Sequence, residues 1–165
     1  MPGRIREQTD PHVYDKHHAA FETQPLPSNQ ASWIERARQV AAILSDDAPK
    51  RDVENKSPTA EISLLKSSGL LKVLGPKDVG GGGEPWETGY KVIREVSKGD
   101  GSIGMLLGYH LLWSTTANVV GTEEQAKSIQ EAIIRQNLVR SCTEIRMLLI
   151  ANCLPVRRRR RQSAG

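Results

Sequence analysis

Gly101-Ser-Ile-Gly-Met-Leu-Leu-Gly-Tyr-His-Leu-Leu-Trp-Ser-Thr-Thr-Ala-Asn-Val-Val-Gly-Thr122 contains no Asp, Glu, Lys or Arg, in a chain of which 25% is charged. A helix without charge on any side has to be surrounded by protein or by lipid. Gly104 and Gly108 satisfy the small-xxx-small pattern of membrane helix pairs, and the uncharged length is near the minimum for a span. His110, Ser114, Thr115, Thr116 and Asn118 would be expensive in hydrocarbon, and no aromatic belt or basic flank brackets the segment. The stretch therefore reads as the buried central helix of a helical domain, and no membrane partner is expected.

The flanking residues support that reading. Downstream, Thr122-Glu-Glu-Gln125 is a capping box, in which the Thr hydroxyl takes a free N–H and Gln125 reaches back to the cap's own N–H. It starts a helix at Glu123 that continues through Ile129, Ala132, Ile133 and Gln136 to about residue 138. Upstream, Asp100 is placed to cap the central helix, and Trp86, Tyr90, Ile93 and Val96 mark the helix before it, ending near Lys98 and Gly99. The stretch from Gly69 to Trp86 reads as an extended loop around Gly80 to Gly83. That glycine run lacks the GxxxxGK[ST] of a phosphate loop and follows no clear strand.

Ser57 followed by Pro58 predicts an N-cap and first helical position for a short helix carrying Ile62, Leu64 and Leu65, which stops at Gly69. Trp33, Ala37, Val40, Ala41 and Leu44 line one face of a first amphipathic helix between Ser28 and Asp47, and APKRDVENKS joins the two as a polar connection. Residues 1 to 28 mix proline, charge and polar groups with little periodicity and read as a disordered arm. The expected fold class is all-α: a bundle of about five helices over residues 29–138, between that arm and a basic tail over residues 139–165.

The chain's net charge of +4 belongs to the tail. Residues 139–165 hold seven arginines, Arg157 to Arg161 among them, against Glu144, a net of +6 that leaves −2 for residues 1–138. With no basic face elsewhere, no specific nucleic-acid partner is expected. Cys142 and Cys153 have neither a CxxC spacing nor a neighbouring His, and His12, His17 and His18 lack ligand-spaced partners, so neither a disulfide framework nor a metal site is suggested. The start has no apolar leader, which points to a cytoplasmic protein and leaves a peroxisomal or mitochondrial setting open.

Ser68-Gly-Leu-Leu71, Gly75-Pro76, Gly80 to Gly83, the stretch from Tyr90 to Gly108 and Gly121-Thr-Glu-Glu-Gln125 resemble, in order and spacing, the corresponding blocks of the acyl-CoA dehydrogenase and oxidase N-terminal domain. The resemblance covers about residues 30–138. Within that superfamily Gly108-Tyr-His110 followed by Leu-Leu-Trp113 resembles the reduced-flavin monooxygenases of the dibenzothiophene-desulfurising branch.

The resemblance implies an orthogonal helical bundle, FAD or FMN as cofactor in the complete family, and an acyl-CoA or small aromatic substrate. It implies that the uncharged helix walls the substrate cavity, with Gly104, Leu107, Gly108, Tyr109, His110 and Leu111 as pocket residues. Met105, Tyr109, Leu112 and Trp113 form a competing side of the same helix. No catalytic residue is assigned, because the family's dehydrogenase base is a carboxylate from a domain whose sequence does not follow here. After residue 138 the family pattern stops, as a shifted reading frame or retained intron would make it. The expectation is thus a truncated fragment of a flavin-dependent oxidoreductase, inactive alone and doubtful as a flavin binder. The alternative is a helical interaction module that binds a full-length relative or another protein; a homo-oligomer or a full-length relative is the expected protein partner.

Overall fold

Asp100 reverses the chain between the two helices that fix the rest of the molecule. Its carboxylate accepts the backbone N–H of Ile103 at 3.0 Å and so caps α6 (Gly101–Val120), directly after α5 (Trp86–Gly99) has ended. The structure is a computed structural model in which residues 7 to 136 are described. The other helices are α1 (Asp15–Glu22), α2 (Gln30–Ser45), α3 (Ala48–Glu54), α4 (Thr59–Ser67) and α7 (Glu123–Gln136), with 3₁₀ turns at Leu70–Lys72 and Lys77–Val79. Among the described residues there is one isolated bridge, Gln8 to Ser57, and no strand, as the all-α reading expects.

α5 packs most extensively against α2 on one side and α6 on the other. Two glycines permit that closeness. A Cβ on Gly99 would fall on the backbone of Ala41 in α2, and one on Gly104 would fall on Ser97 in α5. The apolar stripe of α2 supplies Trp33, Ala37, Val40 and Leu44 to the core, where they join Leu64 and Leu65 of α4 and Leu107 and Leu111 of α6. α4 ends where Gly69 takes φ +78, the left-handed conformation expected of it.

α7 starts on the expected capping box: Gln125 N–H donates to the Thr122 hydroxyl at 3.3 Å, and Thr122 N–H donates to Gln125 Oε1 at 2.9 Å. Its buried Ile129 and Ile133 form a cluster separate from the main core. Gln130 ties it to α6 by donating to the Ser114 carbonyl at 2.6 Å, and Ile134 lies over Gly75.

The structure departs from the sequence reading near the N-terminus. The expected arm contains α1 in its described part, with Tyr14 and Phe21 buried. The polar connection APKRDVENKS forms α3, started by Pro49 in its first turn and ended by Asn55 at φ 47. Among the described residues these two helices raise the expected five to seven. Ser57 does not cap α4; Pro58 occupies the cap position, and the Ser57 carbonyl and N–H are engaged instead by Thr9 and Glu7. Cys142, Cys153 and the arginine tail lie outside the described residues.

Candidate functional site

α6 carries no charge on any side, so only its neighbours decide which side is core. Leu107, Leu111 and Ser114 point inward; Gly104 lies against Ser97, and Gly108 faces Ile93. Met105, Tyr109 and Leu112 are left outward, 60%, 55% and 48% exposed. Of the six residues expected to line a substrate cavity, Gly104, Leu107, His110 and Leu111 are buried, Gly108 is half-buried and Tyr109 faces solvent. The structure therefore brings Tyr109 together with Met105 and Leu112, and sets Leu107, His110 and Leu111 in the core.

His110 is 1% exposed, and its Nε2–H donates to the Leu71 carbonyl at 3.1 Å. That bond fixes the proton on Nε2. Nδ1 is left as a bare acceptor with no partner among the described residues. Burial holds the imidazole below its ordinary 6.5, outweighing the opposing effect of the Leu71 carbonyl. A neutral ring that bonds the turn after α4 to the middle of α6 has a positioning geometry, with no route for a proton to solvent.

Near the start of α6 lies a cluster that the sequence reading passed over. Arg51 of α3 donates from Nη2 to Asp100 at 2.7 Å and to the Leu44 carbonyl at 2.7 Å, pairs with Asp47, and sits 3.5 Å from Glu61. Glu61 is buried and also accepts from the Thr9 hydroxyl at 2.8 Å, while the Tyr14 hydroxyl stands 3.4 Å away. Burial alone would push Asp100 up, but the Arg51 guanidinium and the Ile103 N–H together hold it below its ordinary 3.8. An open cleft of about 600 Å³ adjoins this cluster, edged by Asn55, Lys56, Ser102 and Leu106. Its signal was an arginine inside APKRDVENKS, which looks like any solvated loop charge until α3 forms. Among the described residues no group of three or more His, Cys, Asp or Glu is placed to hold a metal ion, and no helix is long and apolar enough to cross a membrane.

Fold and site together define an all-α domain that turns an uncharged, tyrosine-bearing face of its central helix outward. The chain belongs to the acyl-CoA dehydrogenase family: the model of the acyl-CoA dehydrogenase N-terminal domain matches residues 28–137. It is similar to dibenzothiophene monooxygenase of Rhodococcus erythropolis, 39% identical over 101 residues, which cover 61% of this chain and 24% of that protein. The corresponding protein of Mycolicibacterium goodii is 36% identical over 67% of this chain and 26% of its own length. A probable FMNH2-dependent monooxygenase of Pseudomonas putida, SfnC, is 32% identical over 65% of this chain and 26% of its own length. The chain thus spans about a quarter of the length of the curated relatives it matches.

Proposed function

We propose that residues 28–137 serve as the helical wall of a flavin-dependent monooxygenase, with the outward face of α6 bounding the space in which a small aromatic substrate is oxygenated. The observation that carries this reading is the exposure of Met105, Tyr109 and Leu112 on a helix that bears no charge. An apolar face of that kind suits a cleft shared with other parts of a longer protein. The names of the relatives favour oxygenation over acyl-CoA oxidation. On this reading Tyr109 touches the substrate, while Gly104 and Gly108 let α6 sit close to α5, and His110 with Leu107 and Leu111 hold the helix in register.

The described residues do not by themselves fit a flavin. Gly81 and Gly82 are closed against Gly75 and Trp33, leaving no cradle for a phosphate. The cleft beside Asp100 is edged by the Arg51–Asp100 ion pair as well as by Pro58, Ile103 and Leu106, and no aromatic side chain lines it to stack on a ring system. On this reading residues 7–136 by themselves are expected to oxygenate nothing and to bind neither FAD nor FMN tightly. Its cytoplasmic setting belongs to the same proposal.

Substituting residues 28–136 for the N-terminal domain of the Rhodococcus erythropolis relative tests the reading. The chimera should oxygenate dibenzothiophene with reduced flavin, and Tyr109→Ala in it should lower kcat/KM by at least about tenfold. A folded chimera that instead oxidises an acyl-CoA, or stoichiometric flavin binding by the present chain alone, overturns it.

A further inference from the structure

α4 has no cap of its own. Pro58 holds the cap position without a side-chain bond to the helix, and the first N–H groups of any helix lack partners within it. The missing acceptor comes from near the start of the described residues. The Thr9 hydroxyl accepts the N–H of Ala60, the second residue of α4, at 2.9 Å, and donates to Glu61 Oε2 at 2.8 Å. A hydroxyl on a free N–H, paired with a carboxylate at the third helical position, makes the two halves of a capping box, here brought together from segments far apart in sequence.

Residues 7–18 follow α4 from that point to its last turn. The backbones of Glu7 and Thr9 bracket Ser57, the Tyr14 hydroxyl accepts from Arg51 Nη1 at 3.0 Å and stands 3.4 Å from Glu61, and His18 Nδ1 lies 2.8 Å from the Ser67 hydroxyl. Between residues 7 and 20, however, only Thr9 and Tyr14 are buried, and the next anchor is Phe21 under the Arg36 guanidinium. α4 by contrast buries Ala60, Leu64 and Leu65 completely. A segment held by one aromatic ring and a few hydrogen bonds opens before one that must give up two leucines. Its opening has a consequence, because Thr9 and Arg51 both line the cleft beside Asp100. Lifting residues 7–18 takes Thr9 out of the cleft wall and both hydroxyls away from Glu61, so the cleft then runs on to the Glu61–Arg51 pair.

We infer that residues 7–18 form a releasable strap, pivoting at Phe21, that caps α4 from outside and closes the inner end of the cleft. The family match begins at residue 28, so the strap lies ahead of the matched domain while its seat lies inside it. No cofactor or substrate enters this inference, and it does not rest on the monooxygenase reading.

Hydrogen exchange of the full chain tests the strap, because the Ala60 N–H is held by the Thr9 hydroxyl. The Thr9 and Ala60 amides should exchange together, at least about tenfold faster than those of Leu64 and Leu65. Thr9→Ser should keep the protection of Ala60, and Thr9→Val should lose it. Gln8 and Ser57 face each other across the one isolated bridge among the described residues. In a Cys142→Ser, Cys153→Ser background, Gln8→Cys with Ser57→Cys should close a disulfide that slows Ala60 exchange by about tenfold or more, and reduction should reverse it. Phenylglyoxal should modify Arg51 at least about tenfold faster in the reduced form than in the oxidised one, with exposed Arg94 as the unchanged reference. Ala60 exchanging in step with Leu64 and Leu65 would make the strap part of the core and overturn the inference. An Ala60 amide indifferent to the disulfide or to the loss of the hydroxyl overturns it too, since α4 then frays without the strap. Arg51 reacting equally in both forms overturns the closure, because nothing would then lie beneath the strap.

Discussion

Tyr109 and His110 are adjacent in sequence, yet the first lies in solvent and the second in the core. The depressed protonation of His110 ties stability to pH. An unfolded histidine binds a proton below about 6.5, while the buried ring does not until lower pH. The unfolded state therefore binds more protons as pH falls through that value, and stability is lost until the folded ring itself takes the proton. His110→Gln keeps a donor near the Leu71 carbonyl and removes the titration. Its Tm should fall less than that of the wild type between about pH 7.5 and 5.5; equal falls in the two proteins would refute the assignment. Asp100 does not confuse the measurement, because its own contribution is lost only below about 3.8. At Gly104 the space is taken by Ser97, so Gly104→Ala should destabilise by about 1–3 kcal/mol by forcing α5 and α6 apart, even though alanine favours helix. A thermal melt at or above the wild-type temperature would show that the contact yields.

Capping separates the helices that could be read in the sequence from those that could not. Thr122 with Gln125 and Asp100 with Ile103 announce α7 and α6 by residue type, and the stripe from Trp33 to Leu44 announces α2. α3 buries none of its residues, and α1 buries only Phe21, so neither leaves a period to detect. Their order comes from outside themselves: Tyr14 and Arg51 are held by Asp47, Glu61 and Asp100, partners up to 49 residues away in the chain. The face of α6 was equally undecidable, since a helix without charge on any side fits either orientation until Ser97 and Ile93 claim the glycine side. The two caps should differ in worth. Thr122→Ala loses one exposed cap bond and should cost about 1 kcal/mol. Asp100→Ala loses a cap and also strips a charged partner from nearly buried Arg51, and should cost at least about 2 kcal/mol. Denaturant titration of both variants checks the order, and a reversed ranking would mean that Asp47 and Glu61 suffice for Arg51.

Two unequal cores divide the molecule. The large one joins α1, α2, α4, α5 and α6, while α7 rests on Ile129 and Ile133, the Gln130 bond to Ser114, and Ile134 over Gly75. Local opening is governed by how much apolar surface and how many buried hydrogen bonds an element must give up. α7 should therefore open without the rest, and its amides should exchange at a lower opening free energy than those of α5, which is clamped between α2 and α6. Ile133→Ala should widen that gap by weakening α7 alone. Phe21→Ala, in the large core and under the Arg36 guanidinium, should lower the protection of α2 and α5 together by about 3 kcal/mol. Native-state hydrogen exchange resolved by helix measures all of this in one experiment. If α7 and α5 lose protection in step in both variants, the described residues unfold as one unit, and the division into two cores has no energetic meaning.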